Sequence, residues 1–195
     1  GVSIIVLVTR NMLDIKRPKN YHGKTIICGD STVGKTAISQ LLCSDGLQFP
    51  KSYLMTTAVE LVVKTVVIPN TEDTVEMLLY DTPGKDIFKD FVQMHLQNVC
   101  MVAFVYDIAN RDSYESLPSW EKKVESQNPN FIGVIIANKS DLTDRSEVSA
   151  EEGELMSHKL NMPIFHCSAK DNDNIETPFL HLAKLFYENE SKKSF

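Results

Sequence analysis

The sequence predicts an α/β fold with a six-stranded, mostly parallel sheet, one antiparallel strand, and helices on both faces. Short apolar runs alternate along the chain with segments of helical periodicity, which is typical of strands joined by crossover helices. Two of the runs, at residues 101–106 and 132–137, are apolar throughout, as expected of central strands covered on both faces. A glycine-containing stretch directly follows the first run and precedes a helical pattern, which indicates a tight strand–loop–helix connection.

The individual elements follow from local patterns. Strands are predicted at residues 25–28, 61–69, 75–80, 100–106, 131–137 and 164–167. Helices are predicted at residues 35–44, 87–97, 113–126, 150–160 and 175–190. The polar residues 70–73 indicate a turn, so the second and third strands are expected to form an antiparallel hairpin. Ser149 and Glu152 form a capping-box pattern at the start of the fourth helix.

Length, composition and charge limit which type of protein this chain can be. With 195 residues, 43% of them hydrophobic and 24% charged, the chain is expected to form one globular domain. We place that domain at residues 23–191, after an amino-terminal extension at 1–22 and before a short tail at 192–195. The formal net charge of −6 argues against nucleic acid as a partner. The four cysteines are far apart and include no C-x-x-C pair, which favours reduced core thiols.

Residues 29–36, GDSTVGKT, match the pattern G-x-x-x-x-G-K-[ST] of a polyphosphate-binding loop. Glycines let such a loop curl until its N–H groups converge on phosphate oxygens, and the next helix adds the positive end of its dipole. Lys35 is expected to reach the outer phosphates and the Thr36 hydroxyl to hold Mg²⁺. The full set of expected contacts is Asp30, Ser31, Thr32, Val33, Gly34, Lys35, Thr36 and Ala37. The alternative is a plain glycine turn between strand and helix.

A second motif, DTPG at residues 81–84, ends the third predicted strand. An acidic residue at a strand end beside a phosphate loop can hold Mg²⁺ through water, so Asp81 is the expected metal contact. The backbone N–H of Gly84 is expected to approach the terminal phosphate. The pattern D-x-x-G is common by itself and becomes informative only through its place after the phosphate loop.

The third motif, NKSD at residues 138–141, ends the fifth predicted strand. The Asp141 carboxylate can accept two hydrogen bonds from guanine, a pairing that adenine does not offer. The aliphatic part of Lys139 can lie against the base, and Asn138 can tie this loop to the phosphate loop. These residue types therefore predict a guanine-specific base site.

A fourth motif, SAK, follows the sixth strand and comprises Ser168, Ala169 and Lys170, whose backbone can donate to the guanine carbonyl. In this order and spacing, the four motifs resemble those of the Ras-like small GTPases, which are P-loop NTPases, over residues 24–190. The resemblance implies GTP or GDP as ligand together with Mg²⁺.

The first switch of that family resembles residues 55–60, MTTAVE, in the form found in Rab proteins. The resemblance makes Thr56 the expected Mg²⁺ and terminal-phosphate contact. Counting back at family spacing places Phe49 where an aromatic ring packs on guanine, and Tyr53 where a tyrosine covers the phosphates. The alternative is that both are exposed loop aromatics.

A narrower resemblance involves residues 51–66 and the pair Gly84-Lys85. These stretches are similar to the Rab-like GTPase subunit of the intraflagellar transport B complex. That family implies a location in the cytoplasm and the cilium or flagellum. It also implies a small jelly-roll partner subunit and docking onto coiled-coil subunits of the same complex.

Slow hydrolysis is expected from the second switch, where Lys85 stands in place of the usual glutamine. Glutamine donates and accepts hydrogen bonds, whereas an ammonium only donates, so Lys85 cannot accept one from the attacking water. Pro83 should also stiffen the entry to this switch. The expected catalytic group is therefore Lys85 with Gly84 and Lys35. The alternative is that Lys85 is a solvated charge and a partner supplies the missing group.

Membrane attachment is not expected. Residues 2–8 are apolar but too few to span a bilayer. Residues 188–195 contain no cysteine, whereas membrane-recruited relatives end in prenylated ones. Besides a weak GTPase of the transport complex, two readings remain open: a catalytically silent scaffold that retains GTP, and a Rab-type switch of vesicle trafficking, which the missing cysteine weakens.

Overall fold

The computed structural model describes residues 17–46, 60–82 and 96–193, and of Glu60 only the backbone. The strands are β1 Asn20–Cys28, β2 Glu60–Val67, β3 Thr74–Asp81, β4 Met101–Asp107, β5 Ile132–Asn138 and β6 Ile164–His166. They form one six-stranded sheet in the order β2-β3-β1-β4-β5-β6. The β2–β3 pair is antiparallel and all other pairs are parallel. The predicted sheet, including its hairpin, is confirmed.

The helices connect these strands. They are α1 Lys35–Cys43, α2 Arg111–Glu115, α3 Leu117–Glu125, α4 Ala150–Leu160 and α5 Glu176–Lys193, with a 3₁₀ helix at Ser140–Arg145. The capping box of α4 is present, with Ser149 and Glu152 bonded reciprocally. Within the described segments, no helix combines the length and apolar character that crossing a bilayer requires. The helix predicted at 87–97 falls almost wholly outside the described residues, and 96–98 form a turn.

The single helix predicted at 113–126 is divided into α2 and α3. Proline at position 118, in the first turn of α3, has no N–H and therefore interrupts the run of helical hydrogen bonds. The Asn110 side chain accepts from the backbone N–H of Ser113 and caps α2, which begins at Arg111, two residues before the predicted start. Ser116 lies at the junction, where its N–H still donates to the carbonyl of Asp112 over 3.0 Å.

The core lies on both sides of the sheet, which confirms helices on both faces. One cluster joins α1 and α5 to the strands, and its α5 members are Phe179, Leu182, Ala183 and Phe186. The other cluster joins α3 and α4 to the opposite face, with Leu117 and Trp120 among its members. All seven residues of β4 are buried, as the apolar run at 101–106 predicts.

The first strand begins at Asn20 rather than at residue 25, so residues 20–22 of the predicted extension pair in the sheet. Asn20 lies opposite Thr74 in the parallel pairing of β1 with β3. The residue before the strand is also held, because the Lys19 N–H donates to Asp73 Oδ1 over 2.7 Å. This part of β1 is polar and partly exposed, so it carries no apolar run from which a strand could be predicted.

Parallel pairing sets the position of the site. The carboxyl ends of β1, β3, β4, β5 and β6 meet at one edge of the sheet, and the loops that follow them converge there. In the β1–β3 register Ile27 lies opposite Asp81, which brings the end of β3 beside the phosphate loop. All four sequence motifs therefore begin at one edge.

Candidate nucleotide-binding site

The loop at residues 29–34 has a backbone that glycine makes possible at two positions. Gly29 has φ of 146° and Gly34 has φ of 103°, both in the region that side chains disfavour. A Cβ on Gly29 would lie 2.2 Å from the Val105 carbonyl oxygen, and one on Gly34 would lie 2.2 Å from Asn138 Nδ2. The loop therefore packs directly against the ends of β4 and β5, and neither glycine tolerates a side chain.

Lys35, the first residue of α1, extends its ammonium group back across this loop. Its Nζ donates to the carbonyl oxygens of Gly29, over 2.9 Å, and Asp30, over 2.7 Å. Only 6% of the residue is exposed. Burial lowers the pKa of Lys35, and the nearby Asp81 carboxylate opposes that shift. A largely desolvated cation inside a loop of N–H groups is well placed to attract the oxygens of a phosphate chain.

The next residue brings two oxygen donors together. Thr36 Oγ1 donates to Asp81 Oδ2 over 2.5 Å, and Asp81 is 1% exposed. The end of β3 is held in place because the Thr82 hydroxyl donates to the Ile27 carbonyl over 2.8 Å. A hydroxyl and a carboxylate are the hard oxygen ligands that Mg²⁺ prefers, so these two residues fit that metal.

Asn138 links three loops with one buried amide. Its Nδ2 donates to the Val33 carbonyl over 2.8 Å, and its Oδ1 accepts from the Ala169 N–H over 3.2 Å. The expected tie between the NKSD loop and the phosphate loop is thus present. The bond to Ala169 adds the SAK loop, which the sequence did not predict. The three loops are therefore held as one unit.

Asp141 presents its carboxylate in this unit with its side chain only 7% exposed. Its Oδ1 accepts from Ser168 Oγ over 2.7 Å, and Lys170 Nζ lies 3.5 Å from its Oδ2. Burial works against the charged form, but the hydrogen bonds, with that of Ser168 foremost, and the Lys170 charge lower the pKa of Asp141 below its ordinary value. The carboxylate is therefore ionised at neutral pH and acts as an acceptor.

Lys139 is held by a residue that the sequence analysis did not single out. It has φ of 66°, and its Nζ lies 2.5 Å from Asp107 Oδ2. Asp107 is itself fixed, because its Oδ1 accepts from the Ala109 N–H over 2.9 Å. The sequence feature that could have indicated Asp107 is its place as an acidic residue at the end of an otherwise apolar strand, β4. This ion pair holds Lys139 so that its aliphatic chain can form one wall of a base site.

A second missed residue lies on α3. Trp120 Nε1 donates to Asp30 Oδ1 over 2.8 Å, across 90 positions of sequence. Asp30 is therefore fixed by its side chain as well as through its carbonyl. No local pattern could have paired these two residues.

Comparison with known proteins decides the family. The Ras family profile matches residues 24–188. This chain belongs to the Ras family. Its resemblance to Ras-like small GTPases is thereby confirmed, and the sheet order and hairpin described above are the P-loop GTPase fold of that family.

Individual relatives narrow the comparison. The chain is 39% identical to the intraflagellar transport protein 27 homolog of Bos taurus over 166 residues, which cover 84% of this chain and 89% of the relative. It is 38% identical to the Homo sapiens homolog over 167 residues, which cover 85% of this chain and 90% of the relative. Intraflagellar transport protein 27 of Chlamydomonas reinhardtii is 33% identical over 193 residues, which cover 96% of this chain and 95% of the relative. The chain is thus a Ras-like GTPase homologous to intraflagellar transport protein 27.

The Ras-family fold implies guanine nucleotide binding, and the described part of the site is arranged accordingly. Val33 and Ala37 pack in the core, so contacts from these two residues to a nucleotide would come from backbone N–H groups. Ser31 and Thr32 remain at least partly exposed on the loop. The remaining predicted contacts lie outside the described residues: Phe49, Tyr53, Thr56, Gly84 and Lys85.

Proposed function

We propose that this Ras-family chain binds GTP and GDP with Mg²⁺, hydrolyses GTP slowly, and is a subunit of an intraflagellar transport complex. The observation that carries the nucleotide part is the joining of three loops through Asn138. That amide connects the loop containing the buried Lys35 ammonium to the loops containing the Asp141 carboxylate. A cationic end for phosphates and an anionic end for a base are therefore held in one rigid unit.

The phosphate end is proposed to hold the nucleotide together with Mg²⁺. Lys35 would contact the outer phosphates, and Thr36 and Asp81 would hold the metal, directly or through water. When bound, Mg²⁺ neutralises charge on the phosphate oxygens. In the GTP-bound form Thr56 and the Gly84 N–H would complete the contacts, and Phe49 and Tyr53 would cover the base and phosphates.

The base end is proposed to select guanine. Asp141 is an acceptor-only group at neutral pH and matches the ring N–H and the exocyclic amine of guanine. The Ala169 and Lys170 region would offer backbone N–H groups to the guanine carbonyl, and Lys139 would lie against the ring. Adenine presents an acceptor at the ring position where guanine presents a donor. The Asp141 carboxylate would therefore repel adenine, and we expect ATP to compete poorly.

A titration tests this part. Labelled GDP in magnesium buffer should show saturable uptake that excess GTP reverses and excess ATP does not. An absence of saturable uptake, or equal displacement by ATP, would refute the nucleotide assignment. Repeating the titration with a chelator tests the metal, because affinity should fall when Mg²⁺ is removed.

Slow hydrolysis is proposed from Lys85, which cannot accept a hydrogen bond from the attacking water. Single-turnover measurements on the GTP-loaded chain should give slower phosphate release than those on glutamine-containing small GTPases. Nucleotide content of the freshly purified protein gives a second measurement. Mainly GTP indicates a slow cycle and also fits the alternative of a GTP-bound scaffold, whereas mainly GDP indicates active turnover.

The place in a transport complex is proposed from the names of the three relatives described above, each called intraflagellar transport protein 27 or its homolog. The partners proposed are a small jelly-roll subunit and coiled-coil subunits of the B complex, and the location is the cytoplasm and the cilium or flagellum. Affinity purification of the tagged chain from ciliated cells should recover those subunits. Recovery of vesicle-trafficking factors without them would favour the Rab-type alternative.

A further inference from the structure

The one tryptophan of this chain lies against the phosphate loop. Trp120 is 6% exposed, and its Nε1 donates to Asp30 Oδ1 over 2.8 Å. The ring also lies near a cation, because Lys123 Nζ is 4.4 Å from its centroid. The indole is therefore held in one orientation by packing in the core, and its N–H points at an acidic side chain of the loop.

An acidic side chain here has an electrostatic cost for the proposed ligand. Asp30 directly follows Gly29 in the loop, and its own carbonyl accepts from Lys35 Nζ over 2.7 Å. A carboxylate free to rotate at this position would compete with phosphate for the Lys35 ammonium, and it would repel the phosphate oxygens. The hydrogen bond from Trp120 directs the carboxylate towards α3, although its charge still raises the pKa of Lys35.

We propose that Trp120 is a positioning residue that keeps the Asp30 carboxylate away from Lys35 and from bound phosphate. This role rests on the proposed nucleotide binding and deepens it, because it extends the site to α3. It also gives the loop a charged residue whose effect on binding depends on one hydrogen bond. Loss of the indole N–H should therefore weaken nucleotide binding only while position 30 remains charged.

A double-mutant cycle tests that dependence. The measurement is the dissociation rate of labelled GDP from W120F, D30N, D30A and the two double variants. W120F alone should release GDP about ten-fold faster, since a hydrogen bond to a charged acceptor is broken and the carboxylate is released. In the D30N and D30A backgrounds, W120F should change the rate less than about two-fold, because no charge is left to misplace.

Two further measurements separate positioning from packing. The Trp120 indole gives a single Nε1–H signal in NMR, and with GDP bound it should lie downfield and exchange slowly with solvent. In D30A that signal should move upfield and exchange faster, whereas D30N, which keeps an oxygen acceptor, should largely restore it. Y114F is the matched control, because it loses a hydrogen bond from nearby α2 to the Glu152 carbonyl, 2.8 Å long, and should leave GDP release unchanged.

The outcomes are distinguishable. An equal effect of W120F in the parent, D30N and D30A backgrounds would show that the ring acts only by packing, and would overturn the positioning role. An indole signal unaffected by D30A would overturn it as well, and this measurement remains informative if W120F does not fold. A parent chain that takes up no GDP would instead refute the proposed function.

Discussion

Replacing Asn138 by alanine should both destabilise the fold and weaken nucleotide binding. Asn138 is 1% exposed, and its amide satisfies the Val33 carbonyl at 2.8 Å and the Ala169 N–H at 3.2 Å. Alanine would leave both backbone groups without these partners in a buried place. Each such loss costs about 1–3 kcal/mol, so the two together would cost about 2–6 kcal/mol. The loops would also lose the amide that fixes their relative positions.

The assay is denaturant and thermal unfolding, each with and without GDP and Mg²⁺. For a chain of this size each kcal/mol lowers the melting temperature by about 2–4 °C, so N138A should melt roughly 4–24 °C lower. Added GDP should stabilise N138A less than it stabilises the parent, because the binding unit is no longer rigid. The difference between the two GDP-induced shifts measures the part of the effect that belongs to the site.

Asn128 provides a matched control at the opposite edge of the sheet. It is also a buried asparagine, its Oδ1 accepts from the Val99 N–H over 2.9 Å, and its Nδ2 donates to the Leu96 carbonyl. N128A should therefore lower stability similarly while leaving the GDP-induced shift unchanged. If N138A melts within about 1 °C of the parent, or if N128A reduces the GDP-induced shift equally, the reasoning about the joined loops is wrong.

Three further predictions concern the base and the second switch. D141N should lose guanine affinity by at least about ten-fold and gain affinity for xanthosine nucleotides, because the amide donates where the carboxylate accepts. Competition binding measures both affinities, and an unchanged preference for guanine would contradict the prediction. S168A should raise the pKa of Asp141 towards its ordinary value of about 3.9, as measured by NMR titration. Since the folded pKa of Asp141 is lowered, its ionised carboxylate stabilises the fold above about pH 4, and this contribution is lost as pH falls through the folded pKa. S168A should therefore reduce the loss of stability in acid. A pH–stability profile of S168A that runs parallel to that of the parent would count against this prediction. K85Q should speed single-turnover GTP hydrolysis while leaving GDP affinity nearly unchanged, and equal rates would mean that Lys85 does not limit the reaction.

Much of the fold follows from local patterns. The apolar runs at 101–106 and 132–137 predict buried central strands because a strand covered on both faces has no polar side to alternate with. The turn at 70–73 predicts the hairpin because polar residues there cannot continue a strand. The start of β1 at Asn20 was missed because those residues pair through backbone groups, which leave no trace in side-chain pattern.

The candidate site likewise has features that one segment of sequence predicts and features that depend on distant residues. The phosphate loop can be predicted from sequence because Gly29, Gly34 and Lys35 act within one short segment, where backbone conformation and charge are local properties. The motif alone predicts Asp141 as a base contact, but the lowered pKa of its carboxylate depends on Ser168, a residue from another loop.

Residue types and their spacing along the chain were thus enough to predict the sheet, the phosphate loop and the choice of guanine. Contacts between distant segments were not predictable: Trp120 with Asp30 across 90 positions, and Lys139 with Asp107 across 32. The physical reason is that a hydrogen bond or ion pair depends on where two elements pack in space, and many side chains of suitable chemistry compete for each partner. The packing of α3 against the sheet and the pairing of β4 with β5 decide which of them meet.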